Sequence, residues 1–344
     1  LILASCRWFS ASGFLPHETD IPMTSTSASQ PRRHSSGELP FDLVILDLDG
    51  TILRHDGTVS AAVAAAIADV QAAGIPVTIA TGRILDYVRD RSVELGISTP
   101  VVTTQGAVIG DPVSGRLLRE WTIAHDAARM LAAWADERRQ PAAFFFNDDA
   151  GHTHIVQNLP PPDDNEHDYD YIMGSPRTLV GPLLPALEAR TRGNGDLHEP
   201  VKFLVVSDVR TEAGLAATLQ ERFGPTVTVI RTHPLLVEVT APGVDKGSGV
   251  LHLCGLLGVA PARVLAVGDN DNDITMFRAT GTAVAVANGS QPARDAAHWV
   301  APSMDEDGVA VALRALVHHD GSATARLLRS PRQDSQPRQG AQPR

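Results

Sequence analysis

Asp47 and Asp49 stand one residue apart at the end of the apolar run Leu43-Val44-Ile45-Leu46, and Gly50-Thr51 follow at once. Branched apolar residues in such a run favour a strand covered on both faces. Two carboxylates where a buried strand ends are costly to desolvate unless something cationic meets them. In open α/β sheets, ligands bind beyond the carboxyl ends of the strands. Asp47, Asp49, Gly50 and Thr51 therefore read as a metal-and-phosphate site. Thr81 ends a second such run, Val77-Thr78-Ile79-Ala80, and Asp269, Asn272 and Asp273 follow a third, Val264-Leu265-Ala266-Val267. Lys246 lies at a loop-to-helix junction in Gly243-Val244-Asp245-Lys246-Gly247. If these strands are neighbours in a parallel sheet, their ends share one rim. Carboxylates gathered there repel one another, and a divalent cation resolves the conflict. Oxygen ligands without His or Cys favour Mg²⁺.

A cation beside an Asp nucleophile suits phosphoryl transfer through an aspartyl-phosphate. Lys246 offsets charge on the transferring group, and Thr81 donates a hydrogen bond to one of its oxygens. Asp49 serves as acid to the leaving oxygen and then as base to the attacking water. Gly50 lets the backbone turn close to the phosphate, since no Cβ is in the way.

These residues need particular elements to hold them. A helix is expected over residues 60–73, with Ser60 as N-cap and Gly74 as the residue past its end. A second helix runs up to Gly96, and Val101-Val102-Thr103 forms the next strand. Strands alternating with helices at this spacing make βαβ units and a parallel sheet. The pattern changes between about residues 109 and 236. Helices are expected over 127–138, 183–190 and 212–223, and strands over 142–146, 201–206, 226–230 and 236–239. That is an α+β insert of small-domain size. The alternating pattern then resumes: a helix after Lys246, the strand 264–267, a helix to 279, a strand over 283–286 and a last helix over 309–317.

Asp47-Leu48-Asp49-Gly50-Thr51, Thr81-Gly82-Arg83, Lys246-Gly247 and Gly268-Asp269 with Asn272-Asp273 resemble, in order, the four motifs of the haloacid dehalogenase superfamily. The insert between the second and third motifs is similar to the cap of its subfamily IIB, the Cof-type phosphatases. Thr104-Gln105-Gly106-Ala107 and Asp305-Glu306-Asp307-Gly308-Val309-Ala310 are further echoes, and the likeness spans residues 42–316. Four motifs in register are a far stronger signal than any one alone. The resemblance implies a doubly wound, Rossmann-like parallel-sheet core over 40–108 and 237–319, interrupted by an α+β cap over 109–236. It implies Asp47 as nucleophile, Asp49 as acid/base, and Asp47, the Asp49 carbonyl and Asp269 as Mg²⁺ ligands, with Asp273 behind them. Thr81, Lys246 and Asn272 would hold the phosphoryl group. Gly82 and Arg83 would shape the second motif's turn, with Arg83 either near the substrate or in a structural pair. Gln105 stands where the family commonly has Asn, and Met304 where it commonly has a polar residue. The implied reaction is hydrolysis of a small phosphate monoester, such as a sugar phosphate or a flavin or pyridoxal phosphate. The alternatives are a phosphomutase using the same intermediate, and a binding protein that kept the fold without catalysis.

Each signal has a plainer reading. Thr81 is also a natural helix N-cap, Lys246 an exposed lysine, and Asp269 and Asp273 acids favoured by a helix dipole. The macrodipole accounts for one acid, hardly three within five residues. His152 and His154 alternate on one strand face but are too few for a transition-metal site. Asp163, Asp164, Glu166, His167, Asp168 and Asp170 read as a solvated loop. Phe144-Phe145-Phe146 reads as cap core.

The 344 residues are 43% hydrophobic and 20% charged, ordinary for a globular chain, with a formal net charge of -11 and a pI of about 5.6. Such acidity disfavours nucleic acid as a partner and leaves an anionic metabolite to be met by local cations. No apolar stretch reaches the length of a membrane span. The two cysteines, Cys6 and Cys254, are not expected to pair, which fits a cytoplasmic setting. Residues 1–39 and 320–344, rich in Ser, Pro and Arg, read as disordered. Leu1-Ile2-Leu3-Ala4 lacks the basic lead of a secretory signal, and Met23 is read as a candidate start.

Overall fold

The structure is a computed structural model that describes residues 41–160, 176–190, 199–206, 212–233 and 236–317. The two terminal segments, Cys6 and the acidic stretch 163–170 lie outside the described residues.

Strand β1 (Leu43–Leu46) is buried along its whole length. It lies between β2 (Val77–Ile79) and β12 (Val264–Gly268), parallel to both. With β13 (Thr282–Val286) and β14 (Trp299–Ala301) these form a five-stranded parallel sheet ordered β14-β13-β12-β1-β2. The alternation of side chains explains why the runs are apolar throughout. Val44, Leu46, Val77, Ile79, Leu265 and Val267 pack on one side with Val63, Ile67 and Val70 of helix α1 (Ala61–Ala72) and Leu313 of the last helix. Leu43, Ile45, Val264 and Ala266 pack on the other side with Val250, Leu253, Met276 and Phe277. Both faces are covered, as the doubly wound reading requires. The Ser60 side chain accepts from Val63 N at 3.1 Å and caps α1 as expected. Helix α2 (Leu85–Glu94) leads to β3 (Val101–Thr103).

The chain then departs from the expected boundaries. β3 pairs antiparallel with β4 (Val108–Gly110), which pairs with β5 (Leu117–Glu120). A single parallel bridge, Ala80 to Val102, ties β3 to the strand before it. Residues 109–120, expected in the cap, thus pair with a core strand. The crossing comes just afterwards: Trp121 N donates to the Ala107 carbonyl and Ile123 N to the Pro200 carbonyl. Residues 237–240, expected in the core, belong to β11 (Leu236–Thr240), which pairs with cap strands on both sides. The boundaries shift because strand membership follows pairing partners, which sequence order does not reveal.

The cap is a six-stranded sheet ordered β10-β11-β9-β6-β7-β8, with β6 at Ala142–Asn147, β7 at Thr153–Gln157, β8 at Arg177–Leu179, β9 at Lys202–Val206 and β10 at Thr228–His233. Helices α3 (His125–Arg138), α4 (Leu183–Glu188) and α5 (Glu212–Phe223) contribute to the core on one face. Phe144, Phe146, Phe203, Val205, Val237 and Val239 point into that core. Their neighbours Phe145, Leu204, Val206 and Leu236 point the other way and pack with Ile84, Ala107, Val108 and Val244. The cap sheet is therefore sandwiched between its own helices and the loops that carry the motifs.

Helix α6 (Lys246–Leu257) returns the chain to the core. Asp245 caps it, accepting from Ser248 N at 2.8 Å, while Ser248 Oγ accepts from Asp245 N at 2.9 Å. This capping box fixes the first helical residue, Lys246, at the sheet rim. Helices α7 (Ile274–Ala279), α8 (Gln291–Ala296) and α9 (Gly308–Val317) complete the chain. Among the described residues, no helix is long and apolar enough to cross a membrane.

Candidate active site

The acidic residues expected at the rim do converge. Asp47, Asp269 and Asp273 each offer a carboxylate oxygen, and the three oxygens lie within 4.8 Å of one another. Lys246 Nζ donates to Asp47 Oδ1 and to Asp273 Oδ1, both at 2.6 Å. The Thr51 hydroxyl lies 3.1 Å from Asp269 Oδ1 and 3.4 Å from Asp47 Oδ2. Asp47, Thr51, Lys246 and Asp273 are all buried. Gly50 has φ +79, and a Cβ there would come within 2.4 Å of Asp269 Oδ2, so the turn admits only glycine.

Asp273 is fully engaged by protein donors. Its Oδ1 takes Lys246, and its Oδ2 accepts from the backbone N–H groups of Asp269 and Asn270 at 2.9 and 3.0 Å. That leaves Asp47 and Asp269 as the carboxylates open to a ligand. Burial raises the Asp47 pKa well above the usual carboxylate range; Lys246 opposes this, and Asp273 and Asp269 add to it. Burial and then the Asp273 charge push Asp269 up to about 7. For Lys246 burial disfavours the charge, but Asp273 and Asp47 outweigh it and its pKa is raised, so the ammonium persists. When all three carboxylates are ionised, one ammonium leaves two negative charges uncompensated, a charge that a divalent cation would offset. The donors are all oxygen, with no His or Cys among them, which fits a hard divalent cation.

Asp49 stands apart from this cluster. Arg83 grips its carboxylate through Nε to Oδ2 at 2.9 Å and Nη2 to Oδ1 at 2.7 Å, and the Arg83 guanidinium stacks on Tyr87. The two roles weighed for Arg83 are compatible, because this paired residue also lines the central cavity. Thr81 Oγ1 accepts from Arg83 N at 3.2 Å and closes the second motif's turn; the N-cap of α2 is Ile84, so the plainer reading of Thr81 as a helix cap does not hold. The Gln105 amide occupies the space a Cβ on Gly82 would fill, and Asn272 Nδ2 donates to Gln105 Oε1 at 3.1 Å. The extra methylene of Gln105 is thus used to reach across the second motif's turn to Asn272. Met304 is buried, and its backbone N–H donates to Asn288 Oδ1, whose amide in turn donates to the Gly50 carbonyl.

A cavity of about 390 Å³ opens over the rim. Asp47, Asp49, Gly50, Thr81, Gly82, Arg83, Asp269 and Asn272 line it, while Thr51, Lys246 and Asp273 stand behind them. The opposite wall is the inner face of the cap sheet, whose individual residues the sequence does not identify. Phe145, Lys202, Leu204 and Glu238 project from β6, β9 and β11 into the cavity. Phe145 alone of its triplet faces this way; it is buried like the other two, but strand alternation sets it on the cavity side of the sheet rather than among the cap helices. Lys202 and Glu238 did carry a signal: each is a lone charge in an otherwise apolar strand. His152 and His154 are each held by an acid, Asp86 at 3.0 Å and Asp148 at 2.9 Å.

A family model described as haloacid dehalogenase-like hydrolase matches residues 44–313. The chain is 27% identical over 334 residues to a chloroplastic endoribonuclease YBEY of Arabidopsis thaliana, covering 91% of this chain but only 54% of that protein. The chain thus spans about half the length of this relative. It is 25% identical to the 5-amino-6-(5-phospho-D-ribitylamino)uracil phosphatase YcsE of Bacillus subtilis over 281 residues, 80% of this chain and 96% of that one. Among solved structures, the HAD subclass IIB sugar phosphatase BT4131 shares the fold with a TM-score of 0.64 and 21% identity, over 79% of this chain and 98% of that one.

Proposed function

The chain belongs to the haloacid dehalogenase-like hydrolases, and from that membership we propose that it is a Mg²⁺-dependent phosphatase of small phosphate monoesters. The observation that carries this reading is the placement of Asp47. Its carboxylate is clamped by Lys246, flanked by Asp269 and open to a cavity that also receives Asp49. Asp47 attacks phosphorus in line, the bond to the leaving oxygen breaks, and Asp49 delivers the proton that oxygen needs. Asp49 then takes a proton from water. The water oxygen attacks the phosphorus of the aspartyl-phosphate, and the bond to Asp47 breaks, releasing inorganic phosphate. Lys246, Thr81 and Asn272 hold the phosphoryl oxygens. Asp47 and Asp269, with the Asp49 backbone carbonyl, would hold Mg²⁺, which supplies positive charge to the transferring group. Arg83 fixes the orientation of Asp49 through its two-point grip.

Of the relatives named above, one is a phosphatase of a phosphorylated ribityl compound and one is titled a sugar phosphatase. That supports sugar phosphates or flavin-type phosphates as the substrate class. Incubating the protein with p-nitrophenyl phosphate and a panel of phosphorylated metabolites tests the reading. Free phosphate should appear with Mg²⁺ and cease with EDTA; no release from any ester would refute it.

A further inference from the structure

The inner face of the cap sheet carries one buried ion pair. Lys202 Nζ donates to Glu238 Oε1 at 3.0 Å, and both side chains are about 95% buried. Burying such a pair is rarely a gain in stability over an apolar pair of the same size. The charges are satisfied unequally. Lys202 also donates to the Gly82 carbonyl at 3.1 Å and sits 4.3 Å from the Phe145 ring centre, so its ammonium is surrounded. Glu238 Oε2 is buried and has no hydrogen-bond partner among the described residues. A bare carboxylate oxygen in a low-dielectric wall is costly unless a donor arrives with the ligand. Glu238, Lys202, Phe145 and Leu204 all line the cavity that the acidic cluster opens into.

We infer that Glu238 is the specificity-determining residue of this site, accepting a hydrogen bond from a hydroxyl of the leaving group. The inference rests on the phosphatase reading and deepens it. The substrate is then the phosphate ester of a hydroxylated carbon chain or ring. Phosphate esters whose leaving group ends in a carboxylate are disfavoured, because that carboxylate meets Glu238 and finds Lys202 engaged and Arg83 turned to Asp49. Phe145 and Leu204 cover the C–H faces of the chain or ring beside that contact. A site built to bond a hydroxyl rejects an analogue that lacks it, since its own polar group is left unpaired.

The test compares ribitol 5-phosphate with phosphoglycolate in the wild type and in Glu238→Gln. The substitution is nearly isosteric: the amide oxygen can still accept from Lys202, which puts an N–H donor where Oε2 was. The wild type should prefer ribitol 5-phosphate in kcat/KM by about tenfold to a hundredfold. In Glu238→Gln that ratio should fall at least about tenfold, the relative gain going to phosphoglycolate. A wild type that prefers phosphoglycolate, or a variant that loses both esters equally, overturns the inference while leaving the phosphatase reading intact. If Glu238→Gln does not fold, the wild-type ranking and the Lys202→Met/Glu238→Met double variant decide, the latter by the same collapse of the ratio. A wild type inactive on both esters and on p-nitrophenyl phosphate defeats the phosphatase reading itself.

Discussion

At the residue scale, the site depends on which oxygen of which acid is already spoken for. Asp47→Asn keeps the shape but removes the nucleophile, and phosphate release should drop on the order of a thousandfold or more. Retention of most activity in a steady-state assay would exclude covalent catalysis at that position. Arg83→Lys replaces a two-point grip with a single point charge. kcat should fall about tenfold with a smaller change in KM, because Asp49 loses its orientation rather than the substrate its binding; a pure KM effect would reassign Arg83 to substrate contact. The eleven candidate residues named from the sequence and its family resemblance all lie at or directly behind the cavity. The local geometry is not legible in the sequence. Thr104 and Gln105 adopt φ of 54° and 57°, a left-handed pair that no residue preference announces. In sequence Gln105 is a departure from the family's usual Asn, and its reach to Asn272 needs the fold.

At the scale of elements, α6 is the lever that carries Lys246. Asp245→Ala removes the capping acceptor and should cost about 1 kcal/mol of stability, read from a denaturant midpoint. It should also lower kcat, because Lys246 is the first residue the cap positions. Gly106→Ala should be harsher. The residue has φ +95, and a Cβ would fall 2.0 Å from the Asp245 carbonyl oxygen, so about 2–4 kcal/mol is expected. The buried strands and capped helices of the core could be read because period, caps and glycine stops agree there; Ser60 and β1 are examples. The cap was legible as separate strands and helices but not as a sheet. Its order β10-β11-β9-β6-β7-β8 depends on pairing between distant segments. Which side chains form the cavity wall is hidden for the same reason, since Phe145, Lys202 and Glu238 meet only once β6, β9 and β11 are adjacent.

At the scale of the whole molecule, the acidic cluster links folding to pH. Asp269 is raised to about 7 by burial and then by Asp273, from an unfolded value of 3.8. A raised carboxyl pKa means the folded state holds its proton longer than the unfolded chain. Its contribution is present below about pH 4 and is lost as pH climbs through 7. Metal-free protein should therefore melt at a lower temperature at pH 8 than at pH 5, and Mg²⁺ should narrow the gap. Equal melting temperatures at the two pH values without metal would contradict this. The topology has a consequence during synthesis. β1 lies between β2 and β12 in the parallel sheet, and this second neighbour, β12, lies beyond the entire cap in the chain. A ribosome-bound nascent chain therefore displays one naked flank of β1 until the cap has been translated. The cap sheet closes within its own contiguous stretch, so it can fold first and leave the earlier half as the segment that chaperones must shield.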